Sequence, residues 1–106
     1  MIYDMRTYTC RPGTVPLQIR LWEQHGRAPQ VKHLGEPAVY GMAEVGELNT
    51  FVHIWRYASQ AEREQKRAAM QADPDWAVYI NASREQGYIT AQRNQILVAP
   101  AFMDGK

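Results

Sequence analysis

Residues 2–10 alternate along an extended chain. Ile2, Asp4, Arg6, Tyr8 and Cys10 fall on one face, and Tyr3, Met5, Thr7 and Thr9 on the other. Their β-branched and aromatic content predicts a first strand, stopped by Pro12-Gly13. The period then becomes helical. Thr14 is suited to capping and Pro16 to a first turn, and Leu17, Leu21, Trp22 and His25 recur at helical spacing. Gly26 and Pro29 interrupt this run, which predicts a kinked or two-part helix to about Leu34, closed by Gly35.

Residues 38–45 and 50–57 read as a second and third strand, joined as a hairpin through Gly46, Glu47, Leu48 and Asn49. In the third strand Phe51, His53, Trp55 and Tyr57 share one face, and Val52, Ile54 and Arg56 the other. Ser59 to Glu62 forms a capping box that opens a helix over Ala61 to Ala72, with Glu62 and Lys66 as a supporting pair. Asp73-Pro74 opens another helix, with Trp76, Tyr79, Ile80 and Ser83 inward and Gly87 at its end. Residues 88–98 form a last strand, and the tail from Ala99 to Lys106 is expected to be irregular.

The order β-α-β-β-α-β predicts a ferredoxin-like α+β sandwich, a four-stranded antiparallel sheet with helices on one face, in a single domain over residues 1–106. Helices cover one sheet face only. The other face would carry Tyr8, Phe51 and Trp55 or their alternates, and each large side chain left in water forgoes about 1.5–3 kcal/mol of burial. Packing sheet against sheet between two copies removes that cost, so a homodimer is expected.

Composition narrows the functions. The net charge is +1, which gives no electrostatic purchase on nucleic acid. The one cysteine, Cys10, excludes an internal disulfide and any zinc site with two cysteine ligands. No His-Glu-x-x-His, phosphate loop or dinucleotide fingerprint occurs, so neither a metal nor a cofactor is expected. No apolar run approaches the roughly 18 residues of a membrane span, and the first residues do not form a signal peptide. The expected compartment is the cytoplasm.

The candidate chemistry lies where the first and third strands pair. Asp4, Arg6 and Tyr8 beside His53, Trp55 and Tyr57 would gather a carboxylate, a guanidinium, an imidazole and two phenols in one hollow. The plainer alternative is an Asp–Arg pair, a hydrogen-bonded core histidine and packed aromatics. Glu62, Arg63, Glu64, Lys66 and Arg67 read as a solvated helix face, with a partner-binding surface as the alternative.

Several segments together resemble one family. They are Met5 to Gly13, Glu44 to Asn49, His53 to Tyr57 with Ser59 and Ala61 to Glu64, Arg67 to Ala69, Asp73 to Trp76, and Ile96-Leu97 with Pro100 and Phe102. In order and spacing they resemble the NIPSNAP family over nearly the whole chain. The resemblance implies a dimeric α+β barrel enclosing an interior space. By fold analogy alone, it admits a cofactor-independent oxygenase or isomerase.

The expectation is therefore a homodimeric barrel binding a small, partly hydrophobic molecule in its interior. His53 would be its polar centre, as base or hydrogen-bond donor, and Tyr57 a proton partner. Arg6 would hold an anionic group, with Asp4 beside it, and Tyr8 and Trp55 would supply walls. The competing expectation is a non-catalytic interaction module working through its surface helices.

Overall fold

The computed structural model describes residues 1–104. Its elements are β1 (Ile2–Cys10), α1 (Val15–Leu21), a π-helical turn (Trp22–Gly26), α2 (Arg27–Leu34), β2 (Val39–Met42), β3 (Thr50–Tyr57), α3 (Gln60–Gln71), α4 (Pro74–Gln86) and β4 (Ile89–Val98). A 3-10 turn at Ala101–Met103 interrupts the tail, whose last two residues, Gly105 and Lys106, lie outside the described residues. The strands pair antiparallel in the order β2-β3-β1-β4. This is the ferredoxin-like α+β arrangement that the pattern predicts. No helix among the described residues is long and apolar enough to cross a membrane.

The helices cover the aromatic face that the pattern assigns to dimer packing. Ile2, Phe51, Trp55 and Tyr57 are buried in the chain's own core with Trp22, Leu34, Met70, Trp76 and Tyr79 from the helices. The aromatic face is thus satisfied within one chain, and the alternates are left open. A hollow on that open face is lined by Tyr3, Val39, Ile54 and Leu97, with Met103 from the tail at its edge. β2 is shorter than expected, because the chain bends away after Met42 towards Gly46 and Asn49, both at positive φ.

The first helical stretch has the expected two parts, α1 and α2, joined by a π turn instead of a break. Val15, Gln18, Trp22, Gly26, Gln30 and Leu34 are buried, recurring almost every fourth residue. A straight α-helix turns once per ~3.6 residues, so such a stripe would drift off the face. The wider π turn takes up the difference. It sets Trp22 inward, while Leu17 and His25, which recur with it at helical spacing in the sequence, are exposed. A Cβ at Gly26 would sit 2.7 Å from Trp22 Cδ1 and 2.8 Å from Tyr79 Cγ, so only glycine lets the turn approach α4 this closely. Thr14 stands at the α1 N-cap, but its hydroxyl donates back to the Arg11 carbonyl at 2.7 Å instead of capping the helix.

The later helices start as predicted. Ser59 Oγ accepts from Glu62 N at 3.1 Å, and Asp73 Oδ1 accepts from Asp75 N at 2.9 Å. Asp73 Oδ2 also bonds His33 Nε2 at 2.8 Å, which ties α2 to the start of α4.

Candidate functional site

A cleft of about 660 Å³ opens between the sheet and the helices. Arg6, Tyr8, Phe51 and His53 form its sheet side, Trp22 and Gln30 one wall, and Trp76, Tyr79 and Ile80 of α4 the other. Arg67 reaches it from α3, and Arg84 from the end of α4. Gln30 Oε1 accepts from Trp22 Nε1 at 2.7 Å, and Gln18 Nε2 donates to Tyr79 OH at 2.8 Å, so both aromatic walls are held by buried amides.

The strand register builds the polar side. Asp4 pairs with Trp55, Arg6 with His53 and Tyr8 with Phe51 across β1 and β3, and Tyr40 pairs with His53 across β2 and β3. The rings stack as a result. Tyr8 lies 4.9 Å from Phe51 and 5.1 Å from His53, and Tyr40 lies 4.9 Å from His53 on its other side.

His53 is 5 % exposed, and its Nδ1 accepts a hydrogen bond from the Trp55 indole N–H. An indole nitrogen only donates. Nδ1 must therefore be unprotonated, and the neutral ring carries its proton on Nε2. Burial, and after it the charge of Arg6, drive the imidazole pKa down to about 3. His53 is a neutral ring with a fixed Nε2–H donor near neutral pH.

Asp4 is fully buried at the centre of a charge cluster. Its Oδ2 accepts from Arg6 Nη1 at 3.1 Å and from Arg63 Nε at 3.0 Å. Arg6 Nε also donates to Tyr8 OH at 3.0 Å. Burial opposes the Arg6 charge, but Tyr8 and Asp4 outweigh it and hold its pKa above the ordinary arginine value. The Arg6 fork is engaged within the protein, while the Tyr8 hydroxyl keeps its own proton for a further partner.

Of the six residues singled out from sequence, Arg6, Tyr8 and His53 line the cleft together. Asp4 and Trp55 lie directly behind them and hold Arg6 and His53. Tyr57 does not line the cleft; its buried hydroxyl has no hydrogen-bond partner among the described residues, and burial raises its pKa. All six face the chain's own helices, not a space between two sheets.

Sequence reasoning missed Trp22, Gln30 and Arg67. The first two depend on the π turn. Arg67 had been assigned to a solvated face, yet Arg63, Arg67 and the buried Met70 stand at helical i, i+4, i+7 spacing, and that stripe points inward. No three His, Cys, Asp or Glu side chains converge on a metal-sized site among the described residues.

The fold has counterparts among known proteins. The NIPSNAP family model matches residues 3–103. A NipSnap protein of Caenorhabditis elegans is 34% identical over 76 residues, 71% of this chain and 14% of that protein. The chain spans about a seventh to a third of the length of the curated relatives it matches. A crystal structure of a NIPSNAP family protein with unknown function from Agrobacterium tumefaciens superposes with a TM-score of 0.89 at 34% identity, covering 98% of this chain and 92% of that one. The crystal structure of an antibiotic biosynthesis monooxygenase has a TM-score of 0.61 at 10% identity, over 94% of this chain and 99% of that one, a likeness of fold alone.

Proposed function

The chain belongs to the NIPSNAP family, and from that premise we propose that it is a homodimer whose cleft binds a small, partly hydrophobic molecule and acts on it chemically without a bound cofactor. The observation that carries this reading is a half-open cleft of about 660 Å³ in which a tautomer-fixed His53 faces aromatic walls. That volume suits a small organic ligand, and a few convergent polar groups among apolar walls are what such sites use.

The reaction class best matched is of the oxygenase or isomerase type, in which charge develops on a substrate oxygen. His53 Nε2–H would donate to that oxygen. A ring with a pKa of about 3 is a poor proton acceptor at neutral pH, so donation fits it better than the role of base. Tyr8 OH, which accepts from Arg6 Nε, would give the second hydrogen bond. Tyr57 stands apart from the cleft and takes no part in this step.

The homodimer is supported by the open sheet face. Tyr3, Val39, Ile54 and Leu97 form an apolar hollow that no α-helix among the described residues covers.

Native mass spectrometry followed by denaturation tests both parts. The expected result is a mass of twice the subunit plus a small adduct, released on denaturation and absent from Ala77→Trp, which fills the cleft from α4. A bare monomer overturns the proposal. An adduct that persists in Ala77→Trp overturns the assignment to this cleft.

A further inference from the structure

Building on the ligand-binding reading of the cleft, we infer that its ligand is an organic anion, a flat apolar body bearing one carboxylate-like group, and that Arg67 is the residue that holds that group. Three observations lead there.

First, the cleft is lined by Arg6, Arg67 and Arg84 and by no aspartate or glutamate. Asp4 lies behind Arg6 and outside this lining, so a counter-charge within the cleft itself must come from a ligand.

Second, the arginines differ in how they are engaged. Arg6 and Arg63 share Asp4 Oδ2, the one carboxylate in this part of the core. Arg67 makes no ion pair and no side-chain hydrogen bond among the described residues, although it is half-buried. Burial, and after it the charge of Arg6, lower its pKa from the ordinary arginine value. A guanidinium nonetheless stays charged in proteins. A partly desolvated cation with five unused donors beside a second cation is costly, and a planar oxyanion is the partner its fork fits.

Third, the cleft's walls are aromatic. Trp22, Trp76 and Tyr79 offer surface to a ring or other flat apolar group, while Gln18 Nε2 and Gln30 Oε1 are bonded to Tyr79 and Trp22. Charge recognition by Arg67 and stacking on these rings define an amphiphilic anion.

Isothermal titration calorimetry with 2-naphthoate and its neutral isostere 2-naphthamide tests the assignment. The wild type is expected to bind the carboxylate about tenfold or more tightly than the amide. Arg67→Gln is expected to remove that preference, weakening carboxylate binding far more than amide binding. Arg67→Lys, which keeps the charge but not the fork, should retain part of it, and thermal unfolding checks that each variant is folded. Equal affinity for the two probes, or a preference that survives Arg67→Gln, overturns the anion assignment while leaving the cleft reading intact. Binding of neither probe overturns the cleft reading, and this inference with it.

Discussion

The Trp55 indole donates its N–H to His53 Nδ1 from two residues further along the same face of β3. The contact fixes which ring nitrogen carries the proton and points the other at the cleft. Nitrogen-detected NMR on His53 is expected to show protonated Nε2 and bare Nδ1 from pH 8 down to pH 5. In Trp55→Phe the ring loses this constraint and both tautomers should appear. That variant also strands a buried acceptor, at a cost of about 1–3 kcal/mol in urea unfolding. A single unchanged tautomer in Trp55→Phe would mean that burial, not the indole, sets it.

Burying a neutral imidazole gives stability a defined pH dependence. The folded pKa is about 3, whereas the unfolded ring titrates near its ordinary 6.5. Between those values the unfolded chain binds the extra proton, so this contribution is complete above about pH 6.5 and fades as pH falls towards 3. Within the window the slope is about 1.4 kcal/mol per pH unit. Urea titrations at pH 7.5, 6 and 5 should show wild type losing more stability than His53→Gln. Carboxylate titration is common to both proteins and cancels. Parallel curves would count against the neutral ring.

Gly26→Ala sets helix propensity against packing. Alanine favours an α-helix over glycine by about 1 kcal/mol. The added methyl, however, would lie 2.7 Å from Trp22 and 2.8 Å from Tyr79, both of which line the cleft. Displacing two core aromatics costs about 1–3 kcal/mol. Net destabilisation in chemical unfolding is therefore expected. A stabilised variant would show that the π turn relaxes freely.

The strands and caps were legible because each rests on local chemistry. Alternation set β1 and β3 to within their ends, and Ser59 and Asp73 stand where a cap is needed. The set Arg6, Tyr8 and His53 was legible because strand pairing brings same-face residues together. The face that the helices cover was not, since the alternation of a strand says which residues go together and not which way they turn. The π turn was hidden because Gly26 and Pro29 carry the same signal whether a helix breaks or widens. Arg67 was hidden because a charged residue on a helix is ordinarily solvated.

Asp4 holds two guanidiniums on one oxygen while fully buried. Removing it leaves Arg6 inside the protein without a counter-charge, the costly way to break a buried ion pair. Asp4→Ala is expected to lose about 3–5 kcal/mol in urea unfolding. Asp4→Asn, which keeps the volume and an acceptor oxygen, should lose less. A negligible loss in Asp4→Asn would mean that packing, not charge, is what Asp4 contributes.

The open sheet face carries the argument for two copies. Leu97 is 37 % exposed there, paired across the strands with Tyr3 and beside the hollow that Val39 and Ile54 complete. Leu97→Glu places a carboxylate where a second sheet would press, yet disturbs nothing under the helices. Sedimentation should shift from dimer to monomer, with an unchanged circular dichroism spectrum. If the variant sediments as the wild type does, this face is not the dimer contact. The cleft lies on the opposite side of the sheet, so a monomer that still binds 2-naphthoate would show the site to be complete within one chain.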